Sequence, residues 1–195
     1  MNLFTSDFHF GHSNCVFMDH RPFADADEMD AYIIRMWNER VQGSDDVWFL
    51  GDFSHRAKKP ASEYLRKLRG HKHLIIGNHD GKMLSDPEAM RYWETADHIK
   101  TLNDGKYGKI VLCHFPIADW EGMYRGSWHL FGHIHSTRNA SARYMDGMEK
   151  AINVGCMLNG YAPCSMRELI ENREARRSRE ARGAAPHAEN RLSTR

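Results

Sequence analysis

Residues 77–80 read Gly77-Asn78-His79-Asp80: an amide, an imidazole and a carboxylate in a row, directly after the apolar run His73-Leu74-Ile75-Ile76. A strand that ends this way ends in chemistry rather than in a solvated turn. Four other stretches share the design. Asp7 and His9 follow a β-type run over 2–6, and Gly51-Asp52 follows Val47-Trp48-Phe49-Leu50. His114 follows Lys109-Ile110-Val111-Leu112-Cys113, and Gly132-His133-Ile134-His135 follows Trp128-His129-Leu130-Phe131. In an α/β sheet, ligands bind beyond the carboxyl ends of the strands. Asp7, His9, Asp52, Asn78, His79, His114, His133 and His135 would then meet in one crevice. Oxygen and imidazole donors without thiolate suit Mn, Fe, Zn, Ni or Co, and the set is too rich in nitrogen for a dedicated Mg or Ca site. It is also too large for one tetrahedral ion. Shared between two ions ~3.5–4 Å apart, it makes the clamp used for in-line displacement at phosphorus.

Each motif has a bland reading. Asp-x-His arises often by chance, and Gly-Asp more often still. A surplus of histidine (13 in the chain) proves little, because many histidines sit on surfaces. Gly-Asn-His-Asp and Gly-His-x-His are more specific. Their joint occurrence at successive strand ends is what core packing does not explain.

The elements that must position these groups are legible in outline. Asp25 can cap a helix, with Glu28 completing a capping box. Met29, Ile33, Met36, Trp37 and Val41 recur at helical spacing, and Gly43 ends the run. Pro60 opens a second helix through about Arg69, with Tyr64, Leu65 and Leu68 inward, and Gly70 stops it. The first 80 residues therefore alternate strand, helix, strand, helix, strand, which implies parallel strands joined by right-handed crossovers. A third helix is expected from Pro87 to about Trp93. The second half changes character: strands at 109–113, 128–131 and 150–155 are separated by loop-like gaps, which implies a second, mixed or antiparallel sheet. From Met166 the pattern is helical but nearly without apolar residues after Ile170, and Gly183-Ala184-Ala185-Pro186 breaks it. A domain over 1–170 followed by a charged tail over 171–195, helical and then disordered, is the expected organisation.

Together, Asp7-x-His9, Gly51-Asp52, Gly77-Asn78-His79-Asp80, His114 and Gly132-His133-x-His135 resemble the calcineurin-like metallophosphoesterases, with all five motifs of that family in order. The opening Ser6-Asp7-Phe8-His9-Phe10-Gly11-His12, followed by Arg21-Pro22-Phe23, is similar to the small prokaryotic and phage members. The resemblance implies an α/β fold, a four-layer αββα sandwich of two mixed sheets flanked by helices. It implies that Asp7, His9 and His135 hold one metal, that Asn78, His114 and His133 hold the other, and that Asp52 bridges both together with a water or hydroxide. Two cations lower the pKa of a bridging water. His79 is then free to act as general acid toward the leaving alkoxide, with Asp80 accepting from its other ring nitrogen and fixing its orientation.

Other candidates carry less. His12 and His55 can line the pocket, and Arg21 can clamp a phosphate bidentately. The expected activity is phosphoester hydrolysis, leaning to phosphodiesters, with two transition-metal ions, manganese first. The alternatives are a nuclease or nucleotide phosphatase and, further off, a non-catalytic scaffold. Expected partners are phosphoesters, nucleotides and nucleic acids included. Net charge is +1, but 171–195 holds seven arginines and four glutamates, a local +3 that leaves −2 on the remainder. Those arginines either form a solvated face or dock on a polyanion. Cys15, Cys113, Cys156 and Cys164 form no Cys-x-x-Cys pair, and the simplest expectation is four reduced, mostly buried thiols. No apolar run approaches the ~18 residues that span a bilayer, and no secretory signal is recognised, so the expected location is the cytoplasm.

Overall fold

Chain alternation builds the first half. In the computed structural model, which describes residues 1–183, β1 (Asn2–Thr5), α1 (Ser13–Met18), α2 (Ala26–Arg40), β2 (Asp46–Phe49), α3 (Ala61–Leu65) and β3 (His71–Ile75) follow one another. Only α1 departs from the expected order, occupying what reads as loop. Asp25 caps α2 as expected, accepting from the Glu28 N–H at 2.9 Å, but the expected capping box does not close, because the Glu28 side chain accepts from the Ala24 N–H at 2.6 Å, one residue before the cap. Met29, Ile33, Trp37 and Val41 are fully buried. α3 stops at Leu65 rather than near Arg69 because side chains take over the carbonyls beyond it. Lys72 donates to Leu68 and Gly70, Asn38 to Lys67, and the Trp37 indole to Arg69.

After β3 come α4 (Gly81–Leu84), α5 (Pro87–Met90), β4 (Thr95–Asp97), β5 (Ile99–Asp104), β6 (Gly108–Cys113), β7 (Trp128–Phe131), α6 (Ala140–Asp146), β8 (Ala151–Asn153) and α7 (Met166–Ala181). The expected helix over 87–93 ends three residues early. β4 and β5 escape a hydrophobic-pattern reading because they are polar and at most half-buried. α6 is short and carries only two buried residues, Ala142 and Met145, so its gap reads as loop.

The strands form two four-stranded sheets, β1-β2-β3-β4 and β5-β6-β7-β8. The first is parallel throughout, and an antiparallel bridge joins Phe4 to Cys164 at its β1 edge. In the second, β5 pairs antiparallel with β6, and β6, β7 and β8 run parallel. Alternation sends successive side chains to opposite faces. Leu3, Val47, Phe49 and Leu74 pack under the helices with Met29, Ile33 and Trp37, whereas Phe4, Trp48, Leu50 and Ile75 meet Ile110, Leu112, Trp128, Leu130 and Ile152 between the sheets. Val111, Phe131 and Ala151 face outward against Ala142 and Met145 of α6. The layers are helix, sheet, sheet, helix.

α7 has a complete capping box at Ser165 and Glu168 and sends Met166 and Leu169 into the inter-sheet core. Its arginines are not all solvated. Arg173 is buried and donates to the carbonyls of Glu149 and Ala151, and Arg177 donates to that of Asp146. The expected disorder over 184–195 lies outside the described residues. All four cysteines are buried and unpaired. Among the described residues no helix is long and apolar enough to cross a membrane.

Arg173→Ala should lower the free energy of unfolding by about 1–3 kcal/mol, because it leaves two inward-facing carbonyls without their donor. Arg167→Ala on the exposed side of the same helix should stay within about 0.5 kcal/mol of wild type. Urea unfolding of the full chain reads both.

Candidate metal centre

Parallel pairing brings the carboxyl ends of β1, β2 and β3 side by side, and backbone bonds carry that alignment past the strands. Asp7 N donates to Gly51 O at 3.0 Å, and His9 N donates to Asp52 O at 3.0 Å. The second sheet is stitched on at the same end, where Cys156 N donates to Ser6 O at 3.1 Å. The donors expected from the sequence therefore do meet. Asp7, His9, Asp52 and His135 form one group, and Asp52, His114 and His133 form another, each with ligand atoms within 4.8 Å of one another. Asn78 Oδ1 lies 3.0 Å from His114 Nε2 and 2.9 Å from His133 Nδ1. Asp52 is common to both groups.

The hydrogen bonds fix which ring nitrogens face inward. His114 Nδ1 is 2.7 Å from Leu50 O, and a carbonyl only accepts, so that nitrogen carries the proton. His135 Nδ1 is 2.9 Å from Asp19 Oδ1, and the same reasoning applies. In the neutral rings both Nε2 atoms are then bare lone pairs. His114 Nε2 faces Asp52 Oδ2 at 3.5 Å, and His135 Nε2 faces Asp7 Oδ1 at 3.8 Å. Lone pairs directed at buried carboxylate oxygens are a poor arrangement without a cation between them, and this donor set fits a divalent transition ion.

Backbone strain concentrates here too. Asp7, His9, Asp52, His133 and His135 have φ of 60°, 53°, 61°, 68° and 49°. Such a conformation costs a non-glycine residue about 1–3 kcal/mol and persists where the surroundings enforce it. Two glycines allow the close approach. A Cβ on Gly77 would stand 2.5 Å from Asp52 Oδ1, and one on Gly132 would stand 2.6 Å from Asp7 Oδ2.

Burial pushes the Asp7 carboxyl above its ordinary range, although the charges of His135 and His114 pull it back in part. Burial, helped by the charges of His135 and Arg21, holds His9 well below the usual histidine value. Burial opposes protonation of His135 as well, but the hydrogen bond to Asp19 and the charge of Asp7 outweigh it and raise the group.

The non-ligand residues divide. His79 stands beside the donors: its backbone N–H donates to Asp52 Oδ1 at 2.8 Å, and its ring centroid is 5.6 Å from that of His9. His55 packs on His79 at 4.0 Å between ring centroids, and His12 lies 4.7 Å from His55. Burial and the charges of His55 and Arg56 push His12 down to about 4.

Asp80 does not orient His79. It is fully buried and accepts from the backbone N–H groups of Gly77 at 2.8 Å, Asp52 at 3.0 Å and Phe53 at 2.9 Å, so it ties the end of β3 to the end of β2. Arg21 is not a phosphate clamp either. Its guanidinium is buried and donates to Phe8 O at 2.8 Å, to Asp7 O at 2.9 Å and to Asp19 Oδ2 at 3.0 Å. Sequence reasoning missed Asp19, which touches His135 across 116 positions, a contact no local spacing encodes. It also missed Phe115, 42% exposed with its ring 4.7 Å from that of His133. Position was the available signal there, since Phe115 directly follows His114.

Layers and donor cluster together define a metallo-dependent phosphatase fold with a site that could hold metal. The family profile described as calcineurin-like phosphoesterase matches residues 3–123, and the chain belongs to that family. An uncharacterized protein of Methanocaldococcus jannaschii is 30% identical over 168 residues, covering 85% of this chain and 87% of its own. The gene 66 protein of Mycobacterium phage D29 is 33% identical over 157 residues, with 68% and 77% covered, and its namesake in phage L5 is 31% identical over 160 residues, with 68% and 76% covered. The crystal structure of a protein of unknown function from Aquifex aeolicus matches with a TM-score of 0.68 at 27% identity, over 88% of this chain and 98% of that one. Family membership implies a hydrolase, and divalent metals are typical of the family.

Asp80→Ala orphans three buried N–H groups at about 1–3 kcal/mol each. It should therefore cost several kcal/mol in urea unfolding. A loss below about 0.5 kcal/mol would contradict the role assigned to Asp80.

Proposed function

We propose that this chain is a phosphoester hydrolase that works with two transition-metal ions, manganese first, and that it prefers phosphodiesters. The observation that carries the reading is Asp52, a buried carboxylate shared by two groups of donors. A carboxylate can bridge two cations, whereas an imidazole cannot. Asp7, His9 and His135 would hold one ion, Asn78, His114 and His133 the other, and Asp52 both. When bound, two such ions make hydroxide available near neutral pH and neutralise phosphoryl oxygens as charge builds.

The chain's own residues supply the rest. The His79 ring stands at the edge of the donor cluster, where its N–H can protonate the departing alkoxide. His55 packs against that ring and limits its orientation. His12 and His55 line the same flank and can donate to phosphoryl oxygens. The strained, carboxylate-tied loops keep the donors in place, so little reorganisation is needed when substrate arrives.

A second reading, hydrolysis of nucleotides or nucleic acid, gains support from Phe115, an exposed flat apolar ring at the rim on which a base can stack. Phe115→Ala should raise KM for nucleoside and aryl phosphoesters by several-fold and leave small alkyl esters unchanged.

The full chain with Mn²⁺ should cleave bis(p-nitrophenyl) phosphate, and activity should vanish in chelator and in Asp52→Asn. Activity that persists in chelator would rule out the two-ion reading. His79→Ala should keep both ions yet lower kcat, most for poor leaving groups, by about 10²–10⁴-fold. A variant that instead loses an ion would remove His79 from the acid role.

A further inference from the structure

We propose that Asp19, held by Arg21, is a positioning residue for His135, and that it sets the affinity of one metal position without touching the other. The inference rests on the two-ion reading above and adds a residue that reading does not contain.

Asp19 ends α1, with its N–H on Cys15 O at 3.0 Å, while Cys15 and Val16 anchor that helix in the core. The chain then turns through His20, whose φ is 51°, and Arg21 N donates to Val16 O at 2.9 Å. This turn points the Asp19 and Arg21 side chains inward together. Asp19 Oδ1 accepts from His135 Nδ1 at 2.9 Å, and Asp19 Oδ2 accepts from Arg21 Nε at 3.2 Å and from its terminal nitrogen at 3.0 Å. One carboxylate oxygen serves the imidazole and the other the guanidinium. The bond locks His135 in the tautomer whose Nε2 is bare and aims that atom at the pocket, 3.0 Å from His9 Nε2. Arg21 also holds the carbonyls of Asp7 and Phe8, so a single buried cation fixes the backbone of one ligand and, through Asp19, the ring of another.

The clamp is one-sided. It reaches Asp7 and His135, both of the first donor group, and among the described residues it makes no hydrogen bond to Asn78, His114 or His133. The second group is backed differently: His114 leans on the neutral carbonyl of Leu50 at 2.7 Å, and His133 is exposed. A carboxylate behind a ligating imidazole fixes its ring and raises its basicity, and its loss typically costs 10–100-fold in metal affinity. That cost should fall on the Asp7, His9 and His135 position alone.

The test is Mn²⁺ titration of the metal-free full chain by calorimetry, with no substrate present and with circular dichroism as a fold control. Wild type should bind two ions. Asp19→Asn should bind one as wild type does and the other about 10–100-fold more weakly. His133→Ala should weaken the opposite ion. In the double variant Asp19→Asn with His135→Ala, the loss should not exceed that of His135→Ala, because Asp19 acts only through that ring. Wild-type affinity for both ions in Asp19→Asn, or a loss that adds in full to that of His135→Ala, overturns the inference. A wild-type chain that binds no ion overturns the two-ion reading along with it, so the two failures are distinguishable. Should Asp19→Asn unfold, Asp19→Glu, which keeps the charge but displaces the carboxylate, must show the same one-position weakening.

Discussion

Asp52 sits 1% exposed at the end of β2, and both of its oxygens and its own N–H are engaged or aimed. Oδ1 accepts from the His79 N–H, while Oδ2 faces His9 Nε2 at 3.7 Å and His114 Nε2 at 3.5 Å. A buried carboxylate is costly unless paired. Here the facing groups are imidazoles, one of which has its proton committed to a carbonyl on the far side. The rest of the site follows from keeping this carboxylate in position with a cation as its natural partner. Asp80 holds the backbone of Asp52, and Gly77 leaves room for its oxygen.

The same constraint explains why so much strain is tolerated in so small a region. Five donor residues lie in the left-handed region, where a side chain is disfavoured. Each is pinned by bonds from a different element. Asp7 is tied to Ser6 and to the His133 N–H, His9 donates to the Asp52 carbonyl, and the carbonyl of His135 accepts from Asn153. The tie between Asp7 and the His133 N–H crosses between the two sheets, so the sandwich core of Phe4, Leu50, Ile110 and Leu130 holds the geometry of the site as well as the fold.

Most of the donors were legible because they sit just after continuous apolar runs, which a buried sheet writes plainly, while Asp7 and His9 follow only a shorter β-type run. The parallel order of the first sheet followed from the strand–helix alternation, whereas the four-layer order came from the resemblance. Less was legible where the signal is tertiary. β4 and β5 are polar edge elements with no hydrophobic period. The role of Asp80 was misread from its neighbour in sequence, since adjacency to His79 says nothing about the three backbone donors that fold brings to it. Arg21 reads as a phosphate clamp on an exposed loop, and only the turn at His20 directs it inward to Asp19. The resemblance supplied the pairing of donors into two sets, which spacing alone leaves open.

The most direct test of the account is an anomalous difference map at the manganese edge, from crystals of the chain grown with Mn²⁺. Two peaks about 3.5–4 Å apart, both bonded to Asp52, one flanked by Asp7, His9 and His135 and the other by Asn78, His114 and His133, are the result predicted. A single peak, or peaks that leave Asp52 unbound, would contradict it.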